Sequence, residues 1–129
     1  YNENDTRPAV FIAGGIGITP FMQRLLEAPA DSDQWLFYSN PTPETATYLG
    51  DLRKRVGQNK VVALYRDKQS DQLGQNGYVT ADVFSRYLTD PQRYRYFLCG
   101  PRGMMATARK SLLQLGVPST AIHDEEFSF

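Results

Sequence analysis

Seven consecutive residues, Gly14-Gly15-Ile16-Gly17-Ile18-Thr19-Pro20, place three glycines where a β-branched and aromatic run gives way to a helical pattern. Glycine in such a turn lets the main chain come close to another group. The helix start behind it offers free N–H groups and the positive end of the helix dipole. Together these suit the diphosphate of a dinucleotide. The run departs from Gly-x-Gly-x-x-Gly, because Pro20 stands where the third glycine would be, so a plain tight turn is the competing explanation. A second turn, Cys99-Gly100-Pro101, also closes an apolar run and opens a helix, and the chain ends in Glu125-Glu126-Phe127-Ser128-Phe129. Taken singly, a lone cysteine is ordinarily a small inert hydrophobe, and terminal acidic and aromatic residues are ordinarily solvated.

The elements that must position these groups alternate along the chain. Pro8 to Ala13 reads as a strand buried on both faces. Thr19 then reads as an N-cap with Pro20 at the first helical position, opening a helix from Pro20 to Ala28 with Phe21, Met22, Leu25 and Leu26 at helical spacing. Trp35 to Tyr38 is a second strand, closed by Ser39-Asn40-Pro41; Thr42-Pro43 repeats the cap, and Ala46, Leu49, Leu52 and Val56 line a helix that Gly57 ends. Val61 to Tyr65 is a third strand and Arg66 to Asn76 a loop, after which Thr80 caps a helix from Ala81 to Leu88. Tyr96 to Cys99 is the fourth strand, Met104, Met105, Ala108, Leu112 and Leu115 mark a helix ended by Gly116, and Ala121-Ile122-His123 begins the fifth strand. This alternation predicts a three-layer α/β/α domain on a five-stranded parallel sheet, with ligands at the carboxyl ends of the strands.

Composition narrows the function. Among 129 residues, 14 basic side chains balance 14 acidic ones, and no block of like charge provides the footprint of a nucleic-acid binder. One cysteine excludes an intramolecular disulfide framework, with one histidine it argues against a Cys/His zinc site, and it fits a reducing compartment, the cytoplasm or the cytoplasmic face of a membrane-bound parent. No apolar run approaches the length of about 20 residues needed to span a bilayer. The polar stretch Tyr1 to Arg7, with no initiator Met, reads as a linker from a longer protein, leaving residues 8–129 as the domain.

In this order and at these strand ends, the motifs make the chain resemble the pyridine-nucleotide-binding domain of the ferredoxin-NADP reductase family. That family includes flavin reductases, oxygenase reductase components and the dehydrogenase halves of ferric reductases and NADPH oxidases. The resemblance rests on Gly14 to Pro20, on Tyr38-Ser39-Asn40 with Thr42-Pro43-Glu44, on Gly77-Tyr78-Val79, on Cys99-Gly100-Pro101 and on Glu125-x-Phe127, and it spans nearly the whole chain. It implies that Gly14, Gly15, Ile16, Gly17, Thr19 and Pro20 hold the nucleotide diphosphate, with Ser39 and Asn40 beside them. It also implies that Cys99, Gly100 and Pro101 line the nicotinamide pocket, and that Glu125 and an aromatic, Phe127 or Phe129, stand by the nicotinamide or over a flavin ring. Two departures are Pro41, where the family often has Arg, and the extra Ser128-Phe129.

The family carries its flavin on a preceding β-barrel, so the resemblance implies hydride transfer from NAD(P)H to FAD or FMN on an adjoining domain of the same parent chain, as one step of an electron-transfer chain. Arg66 lies where NADP-specific members carry an arginine, with Lys68 and Tyr78 able to assist, which favours NADP. Asp67 would equally suit the ribose hydroxyls of NAD. Arg102, opening the helix beside the diphosphate, is a further candidate cation, with solvation as its alternative. His123 reads as structural. The rival function is an NAD(P)-sensing regulatory module without turnover, and a further rival is a flavodoxin-like relative holding another phosphate.

Overall fold

Each of the five apolar runs forms a strand of one sheet in the computed structural model, which describes residues 8–27, 33–42, 48–57, 60–65 and 78–125. Strands β1 (Ala9–Gly14), β2 (Gln34–Asn40), β3 (Val61–Tyr65), β4 (Arg95–Cys99) and β5 (Ile122–Asp124) lie in the order β3-β2-β1-β4-β5, every neighbouring pair parallel. Helices α1 (Thr19–Glu27), α2 (Leu49–Val56), α3 (Ala81–Tyr87) and α4 (Arg102–Gln114) cover its two faces. This is the expected three-layer α/β/α domain.

Strand alternation explains the layering. Val10 and Ile12 of β1 join Phe37, Val62, Tyr96 and Leu98 on one face, under Val83 and Phe84 of α3 and Met104, Ala108 and Leu112 of α4. Ala9, Phe11 and Ala13 join Leu36, Tyr38, Phe97 and Cys99 on the other, under Phe21 and Leu25 of α1 and Leu52 of α2. The Phe11 ring sits 5.1 Å from Phe21 and 5.4 Å from Phe97, and each such buried side chain contributes about 1.5–3 kcal/mol. Because β1 is buried on both sides, its six residues read as a continuous apolar run.

Two local expectations fail. Thr19 is not an N-cap: a 3-10 turn over Gly15–Ile18 precedes it, and at φ −56° and ψ −46° it is already helical, which moves Pro20 to the second helical position. Thr80 occupies the N-cap position of α3 with extended backbone, but its side chain makes no capping bond. The linker 1–7, the loop 66–76 and Ala46 lie outside the described residues.

The chain leaves β1 toward β2 and β3 and then crosses back to lay β4 on the other side of β1. Connections on either side of β1 and β4 therefore diverge, opening a crevice at the carboxyl ends of these two strands.

Candidate functional site

The crevice is built from glycine backbone. At φ +55°, Gly15 adopts a conformation that side chains disfavour, and a Cβ there would meet nothing within 4 Å among the described residues. Gly17 differs: a Cβ would lie 2.2 Å from the Cys99 carbonyl oxygen. Gly14 is similarly closed by Met104 Sδ at 2.6 Å and Pro101 Cδ at 2.9 Å, while a Cβ on Gly100 would stand 3.0 Å from the Gly14 nitrogen. Glycines expected to make room for a ligand therefore make room largely for the protein itself. They let the ends of β1 and β4 touch, and Gly15 alone of the first three faces open space. Ile16, between them, is 61% exposed.

A cavity of about 140 Å³ opens beside this turn, lined by Gly14, Gly15, Ser39, Asn40, Pro41, Tyr78, Pro101 and Met104. Drug-sized ligands fill about 300–1,000 Å³, so this space suits one portion of a dinucleotide. Asn40 is its distinctive member. The residue is 2% exposed, yet neither its amide oxygen nor its amide nitrogen makes a hydrogen bond among the described residues. Burial raises the pKa of the neighbouring Tyr38 hydroxyl and the Asn40 amide lowers it, but their approach falls short of hydrogen-bond geometry. An unmet buried amide costs about 1–3 kcal/mol, and a ligand with hydroxyl or phosphate groups would recover it.

On the far side of the crevice, β4 and β5 run in register with Leu98 opposite Asp124, and the Glu125 N–H donates to the Leu98 carbonyl at 2.8 Å. Glu125 thus stands beside Cys99. Burial, and then the Glu125 carboxylate, push the Cys99 thiol above its ordinary range. Such a thiol stays protonated at neutral pH and is no nucleophile. With Cys99 1% exposed, what it offers a ligand is shape.

The structure therefore brings Gly14, Gly15, Ser39, Asn40, Tyr78 and Pro101 to one cavity, and Cys99, Gly100, Gly17 and Glu125 to the adjoining strand ends. Thr19 and Arg102 are exposed, Pro20 is half-buried in the first turn of α1, and Arg102 is not part of the cavity lining. Arg66, Phe127 and Phe129 lie outside the described residues. His123 is exposed and stacks on Phe97 at 5.2 Å. Three contributors carried no functional signal in the sequence. Met104 read as core, which it is, while also lining the cavity; Pro41 read as a departure; and Arg24, bonded to Glu125 at 3.0 Å, lies 101 positions from its partner.

Residues 11–110 match the family described as the oxidoreductase NAD-binding domain, and the chain belongs to that family. It is 30% identical over 127 residues to a flavohemoprotein of Xylella fastidiosa, covering 94% of this chain and 32% of the relative. It is also 30% identical over 128 residues to NADH-cytochrome b5 reductase 1 of Candida glabrata, covering 92% of this chain and 45% of the relative. The FAD/NAD-binding domain of a nitric oxide dioxygenase from Vibrio cholerae superposes with a TM-score of 0.79 at 27% identity, covering 98% of this chain and 54% of that one. The fold is accordingly that of a ferredoxin reductase-like nucleotide-binding domain, and the chain spans between a third and about half of these relatives. No helix among the described residues is long and apolar enough to cross a membrane.

Proposed function

We propose that residues 8–129 are the NAD(P)H-binding part of a flavin-dependent oxidoreductase, joined through residues 1–7 to a domain that carries FAD or FMN. The observation that carries this reading is the unpartnered, buried Asn40 amide in a cavity beside the Gly15 turn, at the crevice where the strand connections diverge. The bound nicotinamide supplies the hydride and the flavin accepts it; the protein orients the two.

In this reading the Gly14–Pro20 turn and the start of α1 hold the diphosphate, with Arg102 nearby as a cation. Asn40, Ser39 and Tyr78 bind the adenosine side. Cys99, Gly100 and Pro101 form the wall against the nicotinamide, Glu125 accepts from its carboxamide, and Phe127 or Phe129 covers the flavin. Arg66 and Lys68 follow β3 and supply cations for a 2′-phosphate, so the nucleotide is NADP in preference to NAD. Calorimetric titration of the chain with NADH, NADPH and ADP tests this. All three bind, and Arg66→Ala weakens NADPH by about 1.5–3 kcal/mol while sparing NADH. A wild-type chain that binds none of them refutes the reading, and an Arg66→Ala variant that leaves NADPH unchanged refutes the preference.

A further inference from the structure

Asp124 and Glu125 leave the end of β5 toward opposite faces of the sheet, and each meets an arginine from the helix on that face. Asp124 Oδ1 accepts from Arg109 of α4 at 2.7 Å, and Glu125 Oε1 accepts from Arg24 of α1 at 3.0 Å. The second pair is the more enclosed, with both side chains 27% exposed against 34% and 45% for the first. It is also the pair at the crevice, since its carboxylate stands beside Cys99 and its arginine belongs to the helix that the glycine turn feeds.

We propose that Arg24 is a positioning residue: it holds the Glu125 carboxylate beside Cys99, where a nicotinamide carboxamide would meet it, and acts on that end of a dinucleotide without touching the ligand. The inference rests on the nucleotide reading above. A glutamate at a strand end samples several rotamers and is best hydrated pointing outward; an arginine across the layer removes that freedom before the ligand arrives. The effect is local to one end of the ligand. Asn40 at the end of β2 and Glu125 beyond β5 are three strand intervals apart, roughly 14 Å. What Arg24 arranges is therefore not shared with the adenosine end.

The test is calorimetric titration of the full 129-residue chain with NADH and, separately, with ADP, which lacks the nicotinamide. Wild type, Arg24→Gln, Glu125→Gln, the double variant and Arg24→Lys are compared. ADP affinity is expected to be equal in all five. NADH affinity is expected to fall about two- to tenfold in each glutamine variant, the range for one net hydrogen bond. The double variant is expected to fall no further than either single one, because one residue acts through the other. Arg24→Lys, which keeps a donor and the charge, is expected to retain most of the affinity. NADH and ADP weakening together in Arg24→Gln, no change in NADH affinity, or additive losses in the double variant would each overturn the proposal. A wild-type chain binding neither ligand would overturn the nucleotide reading beneath it.

Discussion

Asp33, before the amino end of β2, and Asn40, at that strand's carboxyl end, meet opposite surroundings. The Asp33 carboxylate accepts from the Tyr94 hydroxyl at 3.2 Å, pairs with Arg93 at 3.0 Å and has Lys60 at 3.9 Å, and its carbonyl accepts from the Ala9 N–H at 3.2 Å. Tyr96 donates to the Pro91 carbonyl at 2.6 Å, and the Arg95 N–H to that of Pro8 at 3.0 Å. At the other end of β2, Asn40 is buried with both amide atoms unmet among the described residues, and a Cβ on Gly15 would meet none of them within 4 Å. The hydrogen-bonding capacity of Asp33 is spent on folding. That of Asn40 is not, so a ligand that met the amide would gain what the fold leaves unused.

The largest expected effect breaks this division, because glycines at the carboxyl edge, Gly17 most tightly, belong to the fold. Gly17→Val would drive a side chain into the Cys99 carbonyl, a backbone group that cannot swing away. We expect a loss of about 1–3 kcal/mol or more in urea denaturation, the range for overpacking, with nucleotide affinity lost along with the fold. Gly17 accepting valine at full stability would show that the two strand ends are not in contact.

Asn40→Leu sharpens the comparison. Leucine has nearly the same shape and removes an amide that makes no bond in the protein, so stability should hold or rise while NADH affinity falls by about 0.5–1.5 kcal/mol. Asp33→Asn should do the reverse. It weakens a partly exposed cluster, costs about 1 kcal/mol of stability, and leaves NADH affinity unchanged. A variant of either residue that moved stability and affinity together would erase the distinction between the edges.

How much of this was legible in the sequence follows the same physical lines. β1, β3 and β4 stand out because strands buried on both faces carry their signal in every residue, whereas β5, a three-residue edge strand, gave only Ala121-Ile122-His123 and is shifted by one. The glycines were visible and their purpose was not. A sequence records that a side chain is missing at Gly17, but not that the Cys99 carbonyl occupies its space. Thr19 read as a cap because Thr-Pro is a common helix start, and the 3-10 turn that displaces it depends on how Gly17 packs on β4. The Arg24–Glu125 pair had no local pattern at all, since it exists only once α1 packs on the sheet face that carries Phe97 and Cys99 and the chain beyond β5 brings Glu125 to it.

The smallest effect separates the edges by titration. Burial is the largest cause of the raised Cys99 thiol at the carboxyl edge and of the raised Tyr94 and Tyr96 hydroxyls at the amino edge. In each case the fold keeps a proton that the unfolded chain releases sooner. The native state therefore binds more protons in this range, and stability falls as pH rises. For Cys99 the contribution is full below its ordinary value of 9.0 and is lost as pH climbs toward the raised folded value; for the tyrosines the decline begins around 10.0. Glu125 adds only to the Cys99 shift, so Glu125→Gln should lower that pKa without returning it to the ordinary range, because burial remains. The carbon-13 chemical shift of the Cys99 Cβ, followed against pH in the folded chain, measures the shift without a reagent having to reach the buried thiol, and urea midpoints over the same range should show less loss just above pH 9 with the tyrosine-dependent decline unchanged. An identical titration in wild type and Glu125→Gln would mean that the carboxylate does not stand beside the thiol, and would remove the electrostatic link between Cys99 and Glu125 on which the proposed nicotinamide site draws.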